Sequence, residues 1–168
     1  MDHHVDPGRN TNEGLFTEAD PSHPPVRFAW PAAGLPDALQ STLDHLQPVI
    51  GSDRSAVLVL AGQALRVAAS LGFPRPPQIG SAVFWLSEQP QLAELLGQAD
   101  PRHLEADLAG AQLREFAGLG QIGAGLLAPL ACQGRPSGLL LLLRAQARPY
   151  SPAEARPRRR PRAAKARR

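Results

Sequence analysis

The sequence predicts a single small α/β domain, and three observations carry that expectation. Apolar residues between Leu35 and Ile50 recur at helical spacing, and two later stretches read as β-hairpins. A chain of 168 residues that is 43% apolar can bury one core of ordinary size and has no room for two. The expected organisation is a flexible leader over residues 1–34, a domain over 35–155 and a basic, disordered tail over 156–168.

The leader is rich in Pro, Asp, Asn and Gly, with Phe16, Phe28 and Trp30 isolated among them and no sustained period. Its start, Met1-Asp2-His3-His4, lacks the basic and apolar segments of a secretory signal. The first helix follows: Leu35, Leu39, Leu43, Leu46 and Ile50 fall at spacings of four, four, three and four, on one helical face. Pro36 suits a first helical position, Gly51 suits a left-handed terminator, and Pro48, having no amide hydrogen, is expected to kink or tighten the last turn.

Ser55 to Ala61 then has the length and branching of a strand buried on both faces. Gly62-Gln63 permits a turn, and Leu65, Val67, Ala69 and Leu71 alternate with Arg66, Ala68 and Ser70 as in a strand with one more polar side. Five prolines between residues 74 and 101 rule out one long element there, although Gln91 to Gly97 can make two helical turns. A short strand at about Leu104 to Leu108 and a short helix at about Gln112 to Ala117 come next. Leu126 to Ala131, the turn at Gln133-Gly134, and Ser137 to Arg144 make the second hairpin, with Pro129 expected at an edge or bulge because it cannot donate a ladder hydrogen bond.

Composition narrows the function classes. The longest apolar stretch, Gly138 to Leu143, is far shorter than the roughly 20 residues a spanning helix needs, so no membrane span is predicted and a cytoplasmic location is expected. Cys132 is the only cysteine, which excludes a disulfide framework and a multi-cysteine metal site within one chain. Eight of the 18 basic residues sit in the last 13 positions; the remaining 10, against 15 acidic residues, leave the body at −5. The body thus offers no nucleic-acid face, whereas the tail can bind a polyanion without sequence selection.

Several segments, in order, resemble the GAF domain family. They are Gly51-Ser52-Asp53-Arg54-Ser55 entering the first strand, Leu71-Gly72 closing the second, Leu127-Ala128-Pro129-Leu130, Gly134-Arg135-Pro136-Ser137-Gly138-Leu139-Leu140, and Arg148-Pro149-Tyr150-Ser151-Pro152-Ala153-Glu154 opening a last helix. Coverage runs from about 36 to 155. The resemblance implies a mostly antiparallel sheet of five to six strands flanked by helices, with a small-molecule pocket formed by the middle segment. It also implies a regulatory role beside a histidine kinase, cyclase or phosphatase output, although no output domain is recognisable in this chain. The family commonly dimerises through its first and last helices. Here Pro157 and Pro161 break the last one, so the stripe of Leu39, Leu43, Leu46 and Ile50 is expected to lack cover, and either that face closes on a second chain as a homodimer or the domain is marginal. The tail is either a polyanion-binding arm or, the favoured reading, an out-of-frame product of a GC-rich gene.

No cofactor is assigned by these residues. The cyclic-nucleotide signature of the family and a bilin-attaching cysteine in the middle region are both missing from the sequence. A methionine-sulfoxide-reductase-like activity needs a thiol partner for Cys132, so binding is expected rather than catalysis. Candidate ligand contacts are Trp85, His103, Asp107 and Phe116. Trp85 and Phe116 can stack on a planar ligand or simply fill core. His103 can be a pocket donor or an axial haem ligand, or an ordinary surface residue. Asp107 and Glu105 on one strand point to opposite faces, so they are not an acid and base pair.

Overall fold

In a computed structural model, described over residues 34–74, 82–104, 110–118, 120 and 122–155, helix α1 spans Leu35–Ile50. It starts after Gly34 with Pro36 in its first turn and stops at Gly51, whose left-handed backbone (φ 68°) returns its N–H to the Gln47 carbonyl. Pro48 is accommodated in the last turn and does not end the helix early. The leader and tail lie outside the described residues.

Six strands form one sheet: β1 (Arg54–Ala61), β2 (Ala64–Leu71), β3 (Val83–Trp85), β4 (Arg102–His103), β5 (Ala124–Cys132) and β6 (Arg135–Arg144), in the order β3-β2-β1-β6-β5-β4 with every pair antiparallel. Three further helices are α2 (Pro90–Leu96), α3 (Ala111–Ala117) and α4 (Pro152–Ala155). The two hairpins match the sequence reading. Their turns are tight because Gly62 is left-handed in the first, and Gln133 and Gly134 both are in the second, the pattern of a type I′ turn.

The sheet has a differently covered face on each side. On one, Leu58, Leu65, Phe84, Leu127 and Leu141 pack beneath Leu92, Leu95 and Leu113 of α2 and α3. On the other, Leu43 of α1 packs on Val57 and Ala69, and Tyr150, just before α4, packs on Leu126 and Leu142. The central strands β1 and β6 therefore alternate between two apolar surroundings, which is why their sequences read as nearly unbroken apolar runs.

Four differences from the sequence reading have physical causes. Strand β2 is buried on both sides, not polar on one: a bulge pairs Val57 with Ala69 and Leu58 with Val67, so Ala68 is the extra residue and the strand's later residues change face. Gln40 of α1 accepts the Ser70 N–H at 3.3 Å. Strand β3 was not foreseen, since three residues are too few to show a period. Strand β4 comes earlier than the expected 104–108: it is Arg102–His103, with Leu104 N–H donating to Gly125, where a Cβ would lie 2.8 Å from that of Leu104. Residues 105–109 lie outside the described residues. Finally, the stripe of α1 is not left without cover, because Leu39, Leu43 and Ile50 lie against the sheet face. Pro129 does sit as expected: β4 pairs only with Leu126 and Leu127, leaving Pro129 beyond its end and next to the bulge at Leu130/Ala131.

Candidate functional site

Two short helices build the site, and side chains from outside α3 hold both of its ends. Gln89, which precedes α2, is 3% exposed and donates its Nε2 hydrogen to Gln112 Oε1 of α3 at 3.3 Å. Gly110 admits it, since a Cβ there would lie 3.2 Å from the Gln89 side chain. At the other end of α3, Arg54 donates to the Ala117 carbonyl at 3.2 Å, satisfying one of the acceptors a helix leaves open at its C-terminus.

Between α3 and the sheet edge lies a shallow hollow of about 310 Å³, largely open to solvent and lined among the described residues by Ala82, Val83 and Phe84 at β3 and by Gln112, Glu115 and Phe116 on α3. Phe116 is the centre of its apolar wall, with ring centroids 5.1 Å from Phe73 and 5.4 Å from Phe84, the latter edge-to-face. Glu115, exposed on α3, is the charged member of the lining.

The four sequence candidates do not gather here. Phe116 lines the hollow. Trp85 is half-buried and follows Phe84, so the alternation of β3 turns it to the opposite face of the sheet. His103 is exposed and sits opposite Leu126, a residue of the α1–α4 face, so it too looks away from the hollow. Asp107 lies outside the described residues. Gln112 and Glu115 were missed, although a signal existed: on the predicted helix, positions 112, 115 and 116 share a face. Ala82 and Val83 gave none, being small apolar residues in a segment without period. Cys132 is exposed at the end of β5, and among the described residues no group of three or more His, Cys, Asp or Glu is placed to hold a metal.

The opposite face has a polar centre. Arg144, whose side chain is 4% exposed, donates to the carbonyls of Ile50 and, at 2.8 Å, Gly51, and also pairs with Glu154 at 2.7 Å. Its guanidinium lies 3.9 Å above the Tyr150 ring. Glu154 also pairs with Arg148 at 2.8 Å and closes a capping box with Ser151, taking the Ser151 N–H while Ser151 Oγ takes its own. The Arg144 hydrogen bond, the Ser151 backbone and hydroxyl, and Arg148 hold the Glu154 carboxyl well below the usual carboxylate range. Asp53 ties the strand end down by accepting the Ala145 N–H at 2.8 Å. Tyr150 is 2% exposed, its hydroxyl has no partner among the described residues, and burial pushes its pKa up to about 12. Tyr150→Phe is accordingly expected to be neutral or stabilising by up to about 1 kcal/mol, since it removes a buried unsatisfied hydroxyl. The raised pKa favours the neutral phenol in the folded state, so its stability contribution holds below pH ~10 and is lost as pH rises towards 12. Urea unfolding followed from pH ~10 towards 12 should show that loss in the wild type and a flatter profile in Tyr150→Phe.

The segments Gly51–Ser55, Leu71-Gly72, Gly134–Leu140 and Arg148–Glu154 all belong to this frame of close approaches and caps, and the sequence profile of the GAF domain matches residues 34–156. The chain belongs to the GAF domain family. Solved GAF domains share its fold. The GAF domain/HD domain protein of Geobacter sulfurreducens is 20% identical over 71% of this chain and 81% of its own, with a TM-score of 0.62. The GAF domain of a Coxiella burnetii phosphoenolpyruvate-protein phosphotransferase is 18% identical over 74% and 76%, with a TM-score of 0.59. A phycocyanobilin-bound GAF domain from a cyanobacterial phytochrome is 20% identical over 71% and 75%, with a TM-score of 0.56. No curated protein matches the chain. Among the described residues of this GAF domain, no helix is long and apolar enough to cross a membrane.

Proposed function

We propose that this GAF domain is a regulatory module that binds a small ligand in the hollow beside α3 and passes the change in packing to the segments joined to α1 and α4. The observation that carries this reading is the double duty of β6. Leu139, Leu141 and Leu143 lie in the core beneath α2 and α3, while the next residue, Arg144, grips the end of α1 and the start of α4. A shift in the packing under the hollow therefore has a short, stiff route to both helices. A GAF domain of similar fold holds phycocyanobilin, which supports ligand binding on this scaffold. The reading is of binding without catalysis; among the described lining residues Glu115 has no nucleophile beside it. It does not require a second chain, and α1 offers one mainly Val49, which is 81% exposed.

A thermal-shift screen over nucleotides, 2-oxo acids, amino acids and haem tests the proposal. Expected is a ligand that raises the melting temperature of the wild type by several degrees, equivalent to about 2.7 kcal/mol at a hundredfold excess over Kd, and that does so far less in Phe116→Ala. Glu115→Ala, at an exposed position of the lining, keeps the test independent of any folding loss in Phe116→Ala. If no compound raised the melting temperature, only a structural role would be left.

A further inference from the structure

We infer that Asp53 and Arg54 couple α3, the helix that walls the hollow, to the junction of α1 and α4; this rests on the reading of the hollow as a ligand site. Glu115 and Phe116 line the hollow, and the carbonyl of the next residue, Ala117, accepts a hydrogen bond from Arg54 at 3.2 Å. The contact is close on a second side. Gly118 ends α3 in the left-handed conformation, at φ 64°, and a Cβ there would lie 2.9 Å from the same guanidinium. The end of α3 is thus shaped around Arg54, and a ligand that displaces Phe116 displaces the group that Arg54 holds.

Arg54 opens β1 opposite Leu143, and the alternation of the strand puts it on the same face as Ala56 and Leu58, beneath α2 and α3. Asp53 serves the other side. Its N–H donates to the Leu143 carbonyl at 2.8 Å, its carboxylate accepts the Ala145 N–H at 2.8 Å, and its carbonyl accepts the Gln47 amide of α1 at 2.9 Å. Leu143 and Ala145 flank Arg144, which grips the end of α1 and Glu154 of α4. The Asp53 carbonyl and the Arg54 N–H belong to one planar peptide unit, the stiffest link a backbone offers. Beside the apolar route through β6, α3 therefore has a hydrogen-bonded route to both terminal helices that turns on two adjacent residues.

Contiguity is not yet coupling; a mutual response of the two ends is. Residue-resolved amide exchange, followed by NMR on the full chain without ligand, measures it. Arg54→Met keeps the stem and removes the donor to α3. It is expected to speed exchange of the Gly118 amide roughly fivefold, as for one lost hydrogen bond, and that of the Ala145 amide roughly twofold or more. Asp53→Ala should do the converse, speeding Ala145 directly and Gly118 by transmission. Gln112→Ala serves as the control: it loosens α3 at its other end, where Gln89 is bonded, and should leave Ala145 unchanged. The amides of Leu58 and Leu141, in the central strands, report global opening. A response confined to the altered side in both variants, or one no larger than that at Leu58 and Leu141, would overturn the inference. Should Arg54→Met not fold, Arg54→Lys takes its place, since it keeps the charge and loses the fork. The two levels remain distinguishable. Mutual response with no ligand in the thermal-shift screen leaves the coupling and removes the ligand reading, whereas a ligand with one-sided exchange leaves the site and removes this route.

Discussion

Gly72→Ala is expected to destabilise the domain by about 3–4 kcal/mol and to lower its melting temperature by roughly 10–15 °C, whereas Gly62→Ala should cost only about 1 kcal/mol. Both glycines are left-handed, at φ 81° and 61°, so the backbone penalty for an L side chain is similar at the two sites. What differs is space. A Cβ on Gly62 meets nothing within 4 Å, but one on Gly72 would lie 2.0 Å from the Asp53 carbonyl oxygen and 3.1 Å from Gln47 Nε2. That oxygen already accepts the Gln47 amide at 2.9 Å, so the exit of β2, the entry to β1 and the end of α1 meet at one point. The backbone of at least one of the three would have to move. Thermal and urea unfolding of the two variants side by side isolates the contact, and equal losses would show that the close approach is not rigid.

Arg144→Met should lower stability by about 2–4 kcal/mol at neutral pH, because it keeps the stem's volume but removes every hydrogen bond of the buried guanidinium. The last carbonyls of α1 and the Glu154 carboxylate all lose a donor. Arg144→Lys is expected to recover little, since a single ammonium cannot reach acceptors on α1 and α4 together while lying flat on Tyr150. The acid limb of stability provides a second readout. The folded-state pKa of Glu154 is depressed, so its contribution is fully present above the unfolded value near 4.5 and is lost as pH falls below that. Urea midpoints measured from neutral pH into acid should fall in the wild type. In Glu154→Gln that group's share of the fall should vanish, and in Arg144→Met it should shrink. A wild-type-like acid limb in Glu154→Gln would remove this carboxylate from the account.

The candidate site was only partly legible. Phe116 was singled out for its size, and its role against Phe73 and Phe84 follows from that size. Trp85 and His103 were chosen by residue type and proximity in sequence, and the pleat of β3 and the register of β4 against β5 turned both towards the other face. Neither register can be read from strands of three and two residues, because a period of two needs several repeats to declare itself.

The long elements were determined by the sequence itself. Helix α1 follows from five apolar residues at helical spacing between Pro36 and Gly51, and the hairpins follow from apolar runs joined by Gly62-Gln63 and Gln133-Gly134, local signals that need no partner to be recognised. The resemblance to the GAF family was carried by residues whose reasons are tertiary. Gly72 is required by the Asp53 carbonyl, Gly138 by the Leu58 carbonyl that a Cβ would approach to 2.1 Å, and Glu154 by Arg144 ten residues earlier. Only the folded chain decided which side of the sheet each short strand presents, that the stripe of α1 is spent on that sheet, and that Gln112, Glu115 and Phe116 face the β3 edge across a hollow. The physical reason is that hydrophobic periodicity states which residues are to be buried, whereas register, bulge and hydrogen-bond partner state against what, and those are fixed by contacts between segments far apart in the chain.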